Sequence, residues 1–175
     1  VKLPESAWTL GVALSVNGAS SPIFPFLLGT RLAASLHPVA NPVIAPDGTI
    51  VTTISGSRGQ QSPQPLIKVS RSGEVAPFPC EIMNPTGLAF SPDGQLYISS
   101  RGEGTVLRYT NYEHLELVAE DLGIPCGIAF DAEGRLYIGD RTGKIHRIDP
   151  AGNRVEFALL PPSVSAFHLA FDADD

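Results

Sequence analysis

Apolar residues along this chain fall into short runs bounded by Gly, Pro, Asp and Asn, and no stretch carries the sustained 3.6-residue spacing of a long amphipathic helix. Residues 87–90, Gly-Leu-Ala-Phe, form a continuous apolar run of the kind buried on both faces. Ser91, Pro92, Asp93 and Gly94 then read as a turn, with Pro preset for its second position and Gly free to adopt positive φ. Residues 95–99 alternate polar and apolar, placing Leu96 and Ile98 on one face; 105–109 are β-branched and aromatic, and 115–119 make a fourth strand. The order returns at 127–130, 135–139, 144–148 and 154–158, with turns at 131–134 and 149–153. The pattern predicts successive four-stranded units joined by tight turns.

Self-similarity extends this reading in both directions. Segments starting at Asn41 (NPVIAPDG), Asn84 (NPTGLAFSPDG) and Ile124 (IPCGIAFDAEG) align, and another begins at Phe167 (FHLAFDADD). Phe90, Phe130 and Phe171 are spaced by 40 and 41 residues; Arg58, Arg101 and Arg141 follow in the same order, the first interval stretched to 43 by the insertion QQSPQP. A period near 40 built from short strands is the signature of propeller blades, whereas helical repeats of that length need long amphipathic segments. The expected fold is all-β, a partial β-propeller over 41–175 with about three blades and the first strand of another. Because an open arc exposes an apolar blade face, the reading also expects further blades beyond Asp175.

Charge narrows the partners. A formal net charge of -6 argues against a phosphate-backbone surface, so nucleic acid is excluded as a partner. No run approaches the ~20 apolar residues that span a bilayer as a helix. Cys80 and Cys126 fall in similar places of consecutive repeats and read as two unpaired thiols rather than a disulfide or a metal pair.

The recurring pattern P-x-G-(I/L)-A-F-(S/D)-x-(D/E)-G-x-L-Y-I, followed by an Arg-bearing turn and (V/I)-x-R-(Y/I), resembles NHL repeats and the similar blades of the gluconolactonase and LRE-like region family. The resemblance covers 41–175. Residues 1–29 are different: a proline-bearing turn, an alternating run at 11–16, the Asn17-Gly18 turn and an apolar run at 23–28 resemble the closing strands of an immunoglobulin-like IPT/TIG domain. Residues 30–40 then serve as a linker. A module of that kind joined to a propeller resembles exported or surface bacterial proteins, which implies an extracellular, periplasmic or cell-surface location.

In blades of this topology the segment entering the inner strand and the turn between the second and third strands share one face. That places Asn41, Asn84, Cys126, Phe167 and His168 near the axis, with Arg58, Arg101 and Arg141 further out. Each Arg can meet a carboxylate or phosphate through its planar fork; the alternative is that it braces neighbouring carbonyls in a tight turn. Asn41 and Asn84, each before a proline, either face the mouth or cap their own turns. His168 replaces the Gly87 and Gly127 of its sister repeats and is expected in the central channel, whereas His114 and His146 fall in outer-strand or edge contexts and His37 in the linker. The resemblance to gluconolactonases implies a divalent cation, calcium or another, on the axis, held by a Glu, two Asn and an Asp from separate blades. Its asparagines stand just before the inner-strand glycine, where this chain has Thr86 and Cys126, both poor hard-cation ligands. Asp140 matches the structural Asp of NHL-type strands. No catalytic residue and no metal ligand is assigned. The reading is a non-catalytic propeller that binds a small molecule or a protein, with a metal-dependent lactone hydrolase as the alternative.

Overall fold

The computed structural model describes residues 9–12, 15–22, 24–27, 32–33, 39–54, 63–111, 114–162 and 168–172. Among them there are strands and turns but no helix. The first strands are β1 (Thr9–Val12), β2 (Ser15–Val16), β3 (Ala19–Ser20) and β4 (Phe24–Leu27). β1 pairs with β4, and β2 with β3 across Asn17 and Gly18, whose φ values of 51° and 81° are the two positive angles that a two-residue hairpin turn requires.

Three four-stranded antiparallel sheets follow. The first blade is β5 (Val39–Ile44), β6 (Ile50–Ile54), β7 (Pro63–Val69) and β8 (Val75–Met83). The second is β9 (Pro85–Phe90), β10 (Leu96–Ser100), β11 (Thr105–Asn111) and β12 (His114–Ala119). The third is β13 (Pro125–Phe130), β14 (Leu136–Asp140), β15 (Lys144–Ile148) and β16 (Arg154–Leu159). Each blade runs in simple meander order, and the strands of the second and third lie within two residues of the predicted spans. The inner strands β5, β9 and β13 lie side by side.

The cores sit between blades rather than within them, because each sheet is only one layer thick and must bury both faces against its neighbours. Val51, Leu66 and Ile82 of the first blade pack on Leu88, Leu96 and Ile98 of the second. Val106, Ala119 and Leu122 of the second pack on Ile128, Leu136, Ile138 and Ile148 of the third. Edge-to-face rings repeat across the junctions: Phe130 stands 4.8 Å from Tyr97 of the blade before it, and Phe171 stands 5.0 Å from Tyr137. Residues 168–172 therefore lie on the third blade as β13 lies on the second. The same face exposes Val155, Phe157 and Leu159 of β16, with the Arg147 guanidinium 5.3 Å over the Phe157 ring.

Strand pairing corrects the repeat alignment. Ile44 pairs with Ile50, Phe90 with Leu96 and Phe130 with Leu136, so these three residues are equivalent. Counting back three positions makes Asn41 the counterpart of Gly87, Gly127 and His168, not of Asn84. The shared Asn-Pro dipeptide is a coincidence of sequence: in the first blade it lies inside the strand, in the second at its start. The cysteines are likewise not equivalent, since Cys80 belongs to outer strand β8 and Cys126 to inner strand β13. Both thiols are free.

Candidate binding site at the inner-strand entrances

The start of each inner strand is tied to the turn between the second and third strands of its own blade. Arg101 N–H donates to Asn84 O and Arg141 N–H to Ile124 O, both at 3.2 Å. Residue 100 or its counterpart at 140 completes the tie: the Ser100 hydroxyl donates to Met83 O, while the buried Asp140 carboxylate accepts Ile124 N–H at 3.2 Å, Thr142 N–H at 2.9 Å and the Thr142 hydroxyl at 2.8 Å. Asp140 is thus a structural clamp, as the repeat pattern implies. Entrance and turn share one face, so the backbone of Arg101 and of Arg141 lies beside an inner-strand entrance; Arg58 and His37 lie outside the described residues.

A second polar network joins neighbouring blades. Inner strands belong to separate sheets, so their axial-edge carbonyls lack ladder partners and side chains supply them. Asn41 Nδ2 donates to Thr86 O, Thr86 Oγ1 donates to Pro125 O at 3.0 Å, and Ser99 Oγ accepts Gly87 N–H at 2.7 Å while donating to Cys126 O at 2.9 Å. Asn41 reaches its partner from a φ of 51°, a conformation that Asn tolerates better than other side chains. Asn84, also at positive φ, is buried and lies away from the axial cavity.

That cavity, about 210 Å³, is lined at one level by the four equivalent residues Asn41, Gly87, Gly127 and His168, and at the next by Pro42, Leu88, Ile128 and Leu169. His168 lines this cavity. Sequence reasoning missed Asn41 as its counterpart across the ring, and the strand register is the signal that finds it.

Cys126 is buried on inner strand β13. Burial pushes its thiol up, while the guanidinium groups of Arg141 and Arg101, one from each adjoining blade, pull it down; the net direction is up, and Sγ donates to Ile124 O at 3.3 Å. In the outer strand, burial pushes the Cys80 thiol up to about 11. The two residues standing where the gluconolactonase resemblance requires asparagine ligands are poor hard-cation donors: Thr86 offers a neutral hydroxyl held between Pro125 O and Ser99 Oγ, and Cys126 a protonated, soft thiol. Among the described residues, no three His, Cys, Asp or Glu side chains form a metal-holding group.

His146 departs from the sequence reading. It is only 9 % exposed, on β15, and its Nε2 has no hydrogen-bond partner. Burial holds its pKa below the ordinary 6.5, helped by Arg154 and Lys144 and opposed by Asp140 and Glu156. A depressed histidine pKa means that the unfolded chain takes up the proton first. The resulting stability is complete above the ordinary value and is lost as pH falls through the lower folded value. Leu107 fills the equivalent place in the second blade, since it pairs with Ile98 as His146 pairs with Ile138. His146→Leu is expected to raise the melting temperature at pH about 5.5 more than at about 7.5. An equal rise at both pH values assigns the acid sensitivity to other groups.

Residues 40–173 match the SMP-30/Gluconolactonase/LRE-like region family. No curated protein matches the chain. Among solved structures, a gluconolactonase from Xanthomonas campestris superposes with a TM-score of 0.62 at 22% identity, over 86% of this chain and 56% of that one. A calcium-binding regucalcin from Agrobacterium tumefaciens gives 0.58 at 22% identity, over 67% of this chain and 43% of its own. Virginiamycin B lyase from Staphylococcus aureus gives 0.54 at 17% identity, over 87% and 49%. At these identities the likeness is one of fold. The chain spans about half the length of such structures. The propeller fold, the repeated blades and the match over most of the sequence together make this chain a member of the SMP-30/Gluconolactonase/LRE-like region family.

Proposed function

We propose that these blades form a non-catalytic binding propeller whose entrance face takes an anionic ligand between Arg101 and Arg141. The observation that carries this reading is that Arg101 and Arg141, on adjoining blades, are each tied by their backbone N–H to the start of an inner strand, which sets both on the entrance face. Two planar donor forks on one face suit a carboxylate or phosphate. Below them, Thr86 and Ser99 spend their hydroxyl hydrogens on blade-to-blade carbonyls, which leaves that layer a brace rather than a reaction centre.

A second reading, a metal-dependent lactone hydrolase, is favoured by the family match itself and by the gluconolactonase among the structural neighbours. Its cation would need ligands other than Thr86 and Cys126.

Titration calorimetry with inorganic phosphate and with citrate tests the first reading. Arg101→Ala together with Arg141→Ala is expected to weaken binding at least about tenfold, the loss of charge-assisted hydrogen bonds, with little change in melting temperature. Unchanged affinity for both probes, or a fall of several degrees in melting with no binding to lose, overturns it in favour of bracing. A rise in melting temperature on adding calcium, with turnover of gluconolactone, establishes the hydrolase instead.

A further inference from the structure

On the face opposite the mouth, the second and third blades part around a groove of about 300 Å³, a size at the lower end of small-molecule sites. The neighbouring junction explains why it exists. Between the first and second blades, Phe78 of β8 and Tyr109 of β11 fill the space as an edge-to-face pair with centroids 4.9 Å apart. Strand pairing identifies their counterparts one junction on. Phe78 pairs with Leu66 as Ala119 pairs with Val106, and Tyr109 pairs with Leu96 as Ile148 pairs with Leu136. Where one junction holds two rings, the other holds an alanine and an isoleucine, and the groove opens between Val118, next to that alanine, and Ile148.

The rim carries Arg108 and Glu116 from the second blade and Asp149 from the third. Arg108 donates to the Glu116 carboxylate, and its Nε is buried without an acceptor. The Arg108–Glu116 pair is partly exposed, and pairs of that kind hold weakly enough to be exchanged for another carboxylate. The floor is the Tyr97–Phe130 pair, and the turn of the third blade closes one end with Asp149, Pro150 and Ala151 beside Gly134 and Gly152.

We propose that this groove is a binding site for a small aromatic carboxylate, its ring seated where the sister junction carries Phe78 and Tyr109 and its carboxylate taken by Arg108 in place of Glu116. The site is independent of the entrance face. It calls for a flat ring of the size of a phenyl group, because that is what the missing side chains leave room for, and for one negative charge at the rim.

Phenylacetate is the probe, added to the whole chain and followed by amide chemical shifts, with a dissociation constant on the order of 1 mM for a ligand of about ten heavy atoms. Gly134 and Gly152 are expected to shift on titration while Gly87 and Gly127 stay still. Ala119→Phe, which restores the ring of the sister junction, is expected to weaken binding at least about tenfold; Ile148→Tyr serves where that variant does not fold. Arg108→Gln is expected to weaken phenylacetate while leaving the neutral phenylacetamide unchanged. Shifts confined to the axial glycines, no shifts at all, or equal binding in the filled variants overturns the proposal.

Discussion

Gly87→Ala is expected to cost about 3 kcal/mol, the upper end for a single added methyl group in a packed interior, and to lower the melting temperature by roughly 6–12 °C. Its φ is not the cause, for Gly87 does not adopt the left-handed conformation of the turn glycines. The cause is the junction. A Cβ built at Gly87 falls within van der Waals contact of Cys126 O, a backbone atom that cannot rotate away, and 2.9 Å from Ser99 Oγ, which is fixed by its bonds to Gly87 N–H and Cys126 O. The second and third inner strands must therefore separate, and the Ser99 bridge between them breaks with them. The same ring position in the first blade carries Asn41, whose amide donates across the junction to Thr86 O. Side chains are thus admitted there only where the next inner strand stands far enough away. Asn41→Gly, removing one bond and no space, is expected to cost about 1 kcal/mol. Thermal melts of the two variants check the contrast, and a Gly87→Ala protein that melts like the parent removes close packing as the reason for that glycine.

The strands were legible because each is short, one-faced or fully apolar, and closed by Pro, Gly, Asp or Ser turns, so period and punctuation agree at every step. Strands β9 to β16 follow the predicted spans closely for that reason. What lies between blades was not legible. The equivalence of Asn41 with Gly87 depends on which residue faces Ile50, a fact of pairing, and the repeated Asn-Pro pointed to the wrong partner. The Ser99–Cys126 bridge joins residues 27 apart in sequence, and nothing local in either strand signals it. His146 follows an alternating strand and gives no sign that it replaces a leucine until its pairing with Ile138 is set beside that of Leu107 with Ile98. The groove between the second and third blades was hidden likewise: Ala119 and Ile148 are unremarkable strand residues until compared with Phe78 and Tyr109 across the repeat. Sequence order shows the blades; the sites arise at their junctions.

Asp140→Ala is the second large loss expected, about 2–3 kcal/mol, because one buried carboxylate accepts three donors and an alanine leaves them to water or to nothing. The effect is directional. Ser100, the counterpart in the second blade, donates its hydroxyl to Met83 O, whereas Asp140 only accepts, chiefly from Ile124 N–H and the turn at Thr142. Serine at 140 can accept a turn N–H, as Ser100 accepts Glu103 N–H at 3.3 Å, but its one short hydroxyl cannot take all three donors, and Asp140→Ser is expected to recover only part of the loss. Asp140→Asn keeps an acceptor oxygen for the two backbone N–H groups and is expected to lose about 1 kcal/mol. Gly123, at a φ of 69°, makes room for the carboxylate, since a Cβ there would lie 2.7 Å from its Oδ2. The clamp holds Ile124, from which the strand runs through Pro125 to Cys126, and it fixes the turn that begins at Arg141. Loss of the clamp is therefore expected to loosen the mouth as well as the fold, weakening phosphate or citrate binding in Asp140→Ala more than in Asp140→Asn at temperatures where both stay folded. Equal affinity in the two variants, with the predicted difference in melting temperature, would separate the clamp from the site and leave Arg141 to be positioned by its own backbone bond to Ile124 O.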